Sequence, residues 1–194
     1  MIYKKSWKYI LIKQNTYDPY YRPRALKDFS DVQRGEIGGY LESYYNLSQT
    51  GKCWVYYVSR VCNKARVSEN AMITGGAIIC QNSKVFGKAI ISGSALVSGS
   101  AKISDNAKVY NNAQITDNAK IFGHAIITDN AEISDNAWIM CNAQVSGKAE
   151  IYGNAVVTGN ALVSENALVF GSAVVTDYTK VCGNTSVSNG IISK

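Results

Sequence analysis

The sequence predicts an all-β fold, a triangular solenoid of short parallel strands, and three observations predict it. Valine or isoleucine recurs at every sixth position from Val55 to Val187, 23 times in succession. Two places before each stands a small residue, alanine at 18 of the 23, with Cys53, Ser59, Ser83, Thr179 and Thr185 as the others. Nothing is inserted or deleted between the first unit and the last. Self-similarity at a fixed period is the sequence signature of such architectures.

Six residues on an α-helix turn through about 600°, so the recurring positions would spiral over every side of it. In a strand, residues two apart share a face, so the small residue and the aliphatic both point inward. The tripeptide A-x-[VI] is therefore a strand. The x-[GDEN]-[NSK] after it is its corner, rich in types that tolerate positive φ. Three strands and three corners close a coil of 18 residues, and 23 units make between seven and eight coils. Stacked about 4.8 Å apart, they extend for roughly 35–40 Å. Each buried valine or isoleucine contributes about 1.5–3 kcal/mol, yet no coil covers its own upper and lower surfaces. Stability has to come from stacking neighbours.

Aligned on the alanine, the chain reads NARVSE, NAMITG, KAIISG, SAKISD, NAKVYN, NAQITD and onward. These units resemble the hexapeptide repeats of left-handed parallel β-helix proteins over about residues 52–190. The resemblance implies a left-handed coil, against the usual right-handed crossover, and parallel homotrimers with ligands in clefts between subunits. The expected organisation is a β-rich cap or hairpin segment over 1–51, the single-stranded β-helix over 52–190, and a tail over 191–194.

In the first 51 residues Tyr3, Trp7, Tyr9 and Leu11 are interspersed with lysines and predict a strand, half of a hairpin. "NTYDPYYRPRA" is a loop by its prolines. "ALKDFSDVQRGEIGGYLESYYNLSQTGKCWV" then runs into the first coil. It is similar to the N-terminal segment of uncharacterised phage and bacterial β-helix proteins, sharing DF-x-DV-x-x-G-x-x-GG, NLS and WV. A cap over the open end is the favoured reading, because solenoids need one. A recognition head built on tyrosines is the other.

Composition excludes several classes. No stretch of 18 apolar residues exists, and the opening "MIYKKSWKYILIKQ" holds only a short apolar run, so neither a membrane span nor a secretory signal is predicted. The expected location is the cytoplasm, with no membrane partner. Five cysteines form no CxxC pair and have one histidine to join them, so no metal site is expected. Net charge is +6, unevenly spread: residues 53–124 carry eight basic and three acidic side chains, whereas 125–194 carry three and six. Nucleic acid fits the charge, but no recognition motif supports it.

A strict period places residues 18 apart directly above one another, with the residue between the small one and the aliphatic facing outward. The first face reads Arg66, Lys84, Lys102, Lys120, Trp138, Val156, Val174. The second reads Met72, Ile90, Lys108, Ile126, Gln144, Leu162, Lys180, and the third Ile78, Leu96, Gln114, Glu132, Glu150, Leu168, Ser186. Four stacked cations on the first face, with Lys88 and His124 at the adjoining corner, form a candidate site for an anion such as a nucleotide, or for an acidic protein. Like charges so close repel unless an anion lies against them; solubility alone, with partial relief from Glu69 and Asp105, is the bland reading. Met72, Ile78, Ile90, Leu96, Ile126, Trp138, Val156, Leu162, Leu168 and Val174 would face water on a monomer, and such patches mark interfaces. They form the expected homo-oligomer surface, most simply that of a trimer.

Many hexapeptide-repeat proteins are acyltransferases with a histidine base and a protruding loop that helps hold acyl-CoA. Only His124 could serve here, and no loop interrupts the repeats. The sequence therefore points to a non-catalytic, oligomeric β-helix that binds an anionic ligand or acidic partner and needs no cofactor. The N-terminal resemblance suggests a phage-derived host-interaction or counter-defence protein. An acyltransferase using acetyl-CoA and His124 is the alternative.

Overall fold

The computed structural model describes residues 7–194. It is an all-β parallel solenoid of about eight coils, and the 18-residue period holds almost throughout. Three sheets form its sides. The first face runs from Arg66–Val67 to Ile191–Ile192 in eight strands, the second from Trp54–Val55 to Lys180–Val181 in eight, and the third from Tyr40–Leu41 to Ser186–Val187 in nine. Lys84 pairs in register with Lys102, Lys102 with Lys120, and Lys120 with Trp138. The inward alanines and aliphatics from Ala65 to Val175 are sealed from solvent, in one unbroken column.

The corners explain the polar residues of the repeat. Each turns through a left-handed residue, such as Asp105 (φ 56), Asp117 (φ 54) or Gly75 (φ 73). A Cβ at Gly75 would come 2.6 Å from the Gly93 amide nitrogen of the next coil, a contact that glycine avoids. Where a carboxylate stands instead, it joins coil to coil. The Gly87 amide donates to Glu69 Oε2 at 3.0 Å, and the Gly123 amide to Asp105 Oδ2 at 3.0 Å.

The N-terminal segment begins as a hairpin, Tyr9–Ile12 antiparallel to Arg22–Ala25. Tyr3, placed in that strand by its alternation, lies outside the described residues. The expected loop through both prolines stops short: Pro23 pairs with Leu11 inside the second arm, a position tolerated in a two-stranded edge. The sheets also overrun the expected 52–190 limits. Tyr40–Leu41 supplies a strand of the third face, and Ile191–Ile192, assigned to a tail, pairs with Val174–Val175 at an offset of 17 residues.

The chain beyond Ala25 lies across the first coil and supplies the donors that a preceding coil would give. Gly39, Tyr40, Glu42 and Ser48 donate their amides to the carbonyls of Val55, Ser59, Val61 and Val67. The Asn46 side chain donates to Asn63 O and Ala65 O at 3.0 and 2.9 Å. Lys8, only 1% exposed, donates from Nζ to Cys53 O at 2.8 Å and Cys53 Sγ at 3.2 Å, over the Phe29 ring. Burial lowers the Lys8 pKa below its ordinary value and raises that of the Cys53 thiol. Above them Trp54 packs edge-on against Phe29 and Tyr9.

Candidate functional site

The outward residues stand where the period places them, but the cationic set divides. On a strand the residue two before the outward one shares its side. Lys64, Asn82, Ser100 and Asn118 therefore stand beside Arg66, Lys84, Lys102 and Lys120. Lys84 and Lys102 open, with Lys64, Asn82, Ser100 and Tyr45, onto a cleft of about 350 Å³. No carboxylate lines it. Arg66 and Lys120 lie outside this cleft: the Arg66 guanidinium lies 5.6 Å from the centre of the Tyr45 ring, and Lys120 lies 4.3 Å over the Trp138 ring, which Phe122 meets edge-on.

Lys88 and His124 do not join them. Both precede the inward alanine of a second-face strand, so both turn around the corner. Lys88 lines a separate shallow cleft with Glu69, Asp105, Asn70 and Asn106. His124 is exposed beside Lys108, Ile126, Gln144, Asn106 and Asn142, in a shallow cleft of about 560 Å³. It stands between asparagines in its column, where Asn142 donates to Asn160 at 3.2 Å.

The apolar set divides as well. Ile78 and Trp138 are more than a third exposed, while Met72, Ile90, Leu96, Ile126, Val156, Leu162, Leu168 and Val174 are half-buried by their stacked neighbours. On the first face Trp138, Val156, Val174 and Ile191 run on directly below the cations, with Ile191 the most exposed of them. One face is thus basic above and apolar below.

Other chemistry is sparse. Burial raises the pKa of Cys62 and Cys80, which works against a thiolate nucleophile at either. Among the described residues no group of three His, Cys, Asp or Glu side chains is placed to share a metal ion. Among them, too, no helix is long and apolar enough to cross a membrane.

Comparison with known proteins agrees with the coils. The YdcK beta solenoid repeat matches residues 65–81 and 149–165. A protein of Escherichia coli (strain K12) named "Uncharacterized acetyltransferase YdcK" is 36% identical over 55 residues, 28% of this chain. The chain covers 17% of that protein's length. The unbroken six-residue period and three parallel sheets make the fold a parallel β-solenoid, and both matches are consistent with a likeness to hexapeptide-repeat β-helix proteins.

Proposed function

We propose that the protein is a non-catalytic β-solenoid that acts as a binding or interaction module and takes an anionic ligand or an acidic partner on its first face. The observation that carries this reading is the cleft in which Lys64, Lys84 and Lys102 converge beside Tyr45 with no carboxylate among them. Neighbouring ammonium groups one coil apart repel by about 1 kcal/mol per pair in water, and an anion laid across them relieves every pair at once. An anionic nucleotide is the small-molecule candidate, with no further cofactor. A phage-derived host-interaction or counter-defence role rests on the N-terminal resemblance alone. Binding to an immobilised polyanion, read as the salt concentration of elution, tests the reading. Lys84→Glu with Lys102→Glu should abolish retention, and retention should weaken with salt because exposed charges are screened. Retention that survives both reversals ends the proposal.

The second reading is an acyl-CoA-dependent acyltransferase with acetyl-CoA as donor. Two observations favour it: His124 lines a cleft with Lys108 and Gln144, and the E. coli relative is named an acetyltransferase. An imidazole near neutrality can take the acceptor's proton as the thioester is attacked. Turnover of acetyl-CoA that disappears in His124→Asn would establish this reading in place of the first. Polyanion retention unchanged in that variant, with no turnover in the wild type, supports the binding module.

A further inference from the structure

We infer that the acidic partner of the first face is the third face of a second copy of this chain, docked with its solenoid axis antiparallel. The inference rests on the reading of the first face as an anion-docking surface and names what docks there. Down the first face the outward residues pass from four cations to the apolar run that starts at Trp138. Down the third face they pass the other way, from Ile78 and Leu96 through Gln114 to Glu132 and Glu150.

Both columns advance by one residue per coil, so one register fixes every pairing. With the axes antiparallel and Lys120 opposite Gln114, Lys102 meets Glu132 and Lys84 meets Glu150. In the same register Trp138 meets Leu96 and Val156 meets Ile78. Across five consecutive coils, two opposite-charge pairs and two apolar pairs flank a contact of Lys120 with the neutral Gln114 amide. The match ends where Arg66 faces Leu168 and Val174 faces Arg60, contacts that an arginine's aliphatic stem can make.

Orientation is set by the same columns. In a parallel, unshifted arrangement, which a closed three-fold ring requires, Lys84 and Lys102 would oppose Ile78 and Leu96. Trp138 and Val156 would then oppose Glu132 and Glu150, leaving charges against apolar side chains. The antiparallel contact is small: seven coils of a face about 17 Å wide bury on the order of 1,000 Å² over both copies. That is the size of a weak, concentration-dependent interface. It is also heterologous, so each docked pair keeps one unused face of each kind, a third face on one copy and a first face on the other, and copies add in series.

Sedimentation velocity over a concentration series tests this, with two reversed proteins. The wild type should grow in mass with concentration and shrink with added salt. Lys84→Glu with Lys102→Glu, and separately Glu132→Lys with Glu150→Lys, should each lose that growth while keeping the wild-type melting temperature. Mixed in equal amounts, the two reversed proteins should assemble, because each first face again meets an opposite third face. The fourfold variant should also assemble by itself. A wild type that stays monomeric, a fixed trimer insensitive to either reversal, or a mixture that fails to assemble overturns the inference. Polyanion retention keeps the two claims apart. Retention by a monomeric wild type leaves the anion-docking reading standing and removes the self-contact; neither retention nor association removes both.

Discussion

At the N-terminal end of the solenoid the carbonyls of the first coil meet donors from the cap, some from backbone and some from Asn46 and Lys8. At the last described coil the amides of Val174, Thr176 and Tyr178 donate to the carbonyls of Gly190, Ile192 and Lys194. The inner column reflects this. Cys53, Val55 and Ser59 at the first coil are sealed, whereas Thr185 is exposed and Val187 is 7% exposed at the last. The first coil is thus closed by segments that stand in for a preceding coil, whereas the last described coil presents polar outward residues such as Lys180 and Ser186. The first depends on a few particular side chains, the last described coil on hardly any.

The largest effect is expected between the ends, where neither solution applies. Ile121 is fully buried at a coil that has neighbours on both sides. Ile121→Asp places a carboxylate where the backbone donors are already used, and should cost more than about 4 kcal/mol or leave the protein insoluble. Lys120→Asp, one residue away and pointing outward, should stay within about 0.5–1 kcal/mol of wild type. Urea unfolding reads both, and equal tolerance would reject the inward register.

Trp54→Ala comes next. The indole is 1% exposed and is the largest side chain between the first coil and the cap. Its loss should cost about 3–5 kcal/mol. Hydrogen exchange should show the amides of Gly39 to Ser48 opening first, with the ladder below Ile73 still protected. Uniform loss of protection would mean that cap and coils form one cooperative unit, erasing the contrast between the two ends.

Legibility in the sequence divides along the same line. From Val55 to Val187 the inward and outward sides of every strand can be read, because a period of six admits no second register. The exceptions to alanine carry information too: four of the five, Cys53, Ser59, Thr179 and Thr185, belong to the terminal coils. Lys88 and His124 fall on the wrong side when the corner is read with the strand before it. The two-residue alternation places them with the strand after it, and the same rule finds Lys64, Asn82 and Ser100. Tyr45 and Lys8 are beyond reach. Tyr45 is positioned by a short 3-10 turn, Tyr44–Asn46, capped by Ser43. Lys8 is buried because an orphan carbonyl lies beneath it, and no local pattern signals either.

Asn46→Ala sharpens the comparison at the closed end. Its amide group satisfies two carbonyls of the first coil, and its Oδ1 accepts the Ser43 amide at 2.8 Å. A buried acceptor left without a donor costs about 1–3 kcal/mol. The expected loss is about 2–4 kcal/mol by urea unfolding, reduced to the extent that water enters. Asn46→Asp should not rescue it, since a carboxylate offers no donor to either carbonyl.

The smallest effect is expected at the last described coil, and it separates that coil from the first most sharply. Thr185 occupies the inward position held by alanine in the coils above, yet it is exposed and its hydroxyl donates to Cys182 O at 2.7 Å within its own corner. Because Thr185 is exposed, its replacement by alanine removes neither a buried contact nor the sole partner of a buried group. Thr185→Ala should therefore change stability by less than about 0.5 kcal/mol, too little to resolve by urea unfolding. The comparable change in the first coil, Cys53→Ala, removes the sulfur that Lys8 Nζ reaches at 3.2 Å inside a sealed site, and should cost measurably more. Equal effects at the two positions would show that the C-terminal coil is covered in solution, and copies joining end to end would then have to be sought.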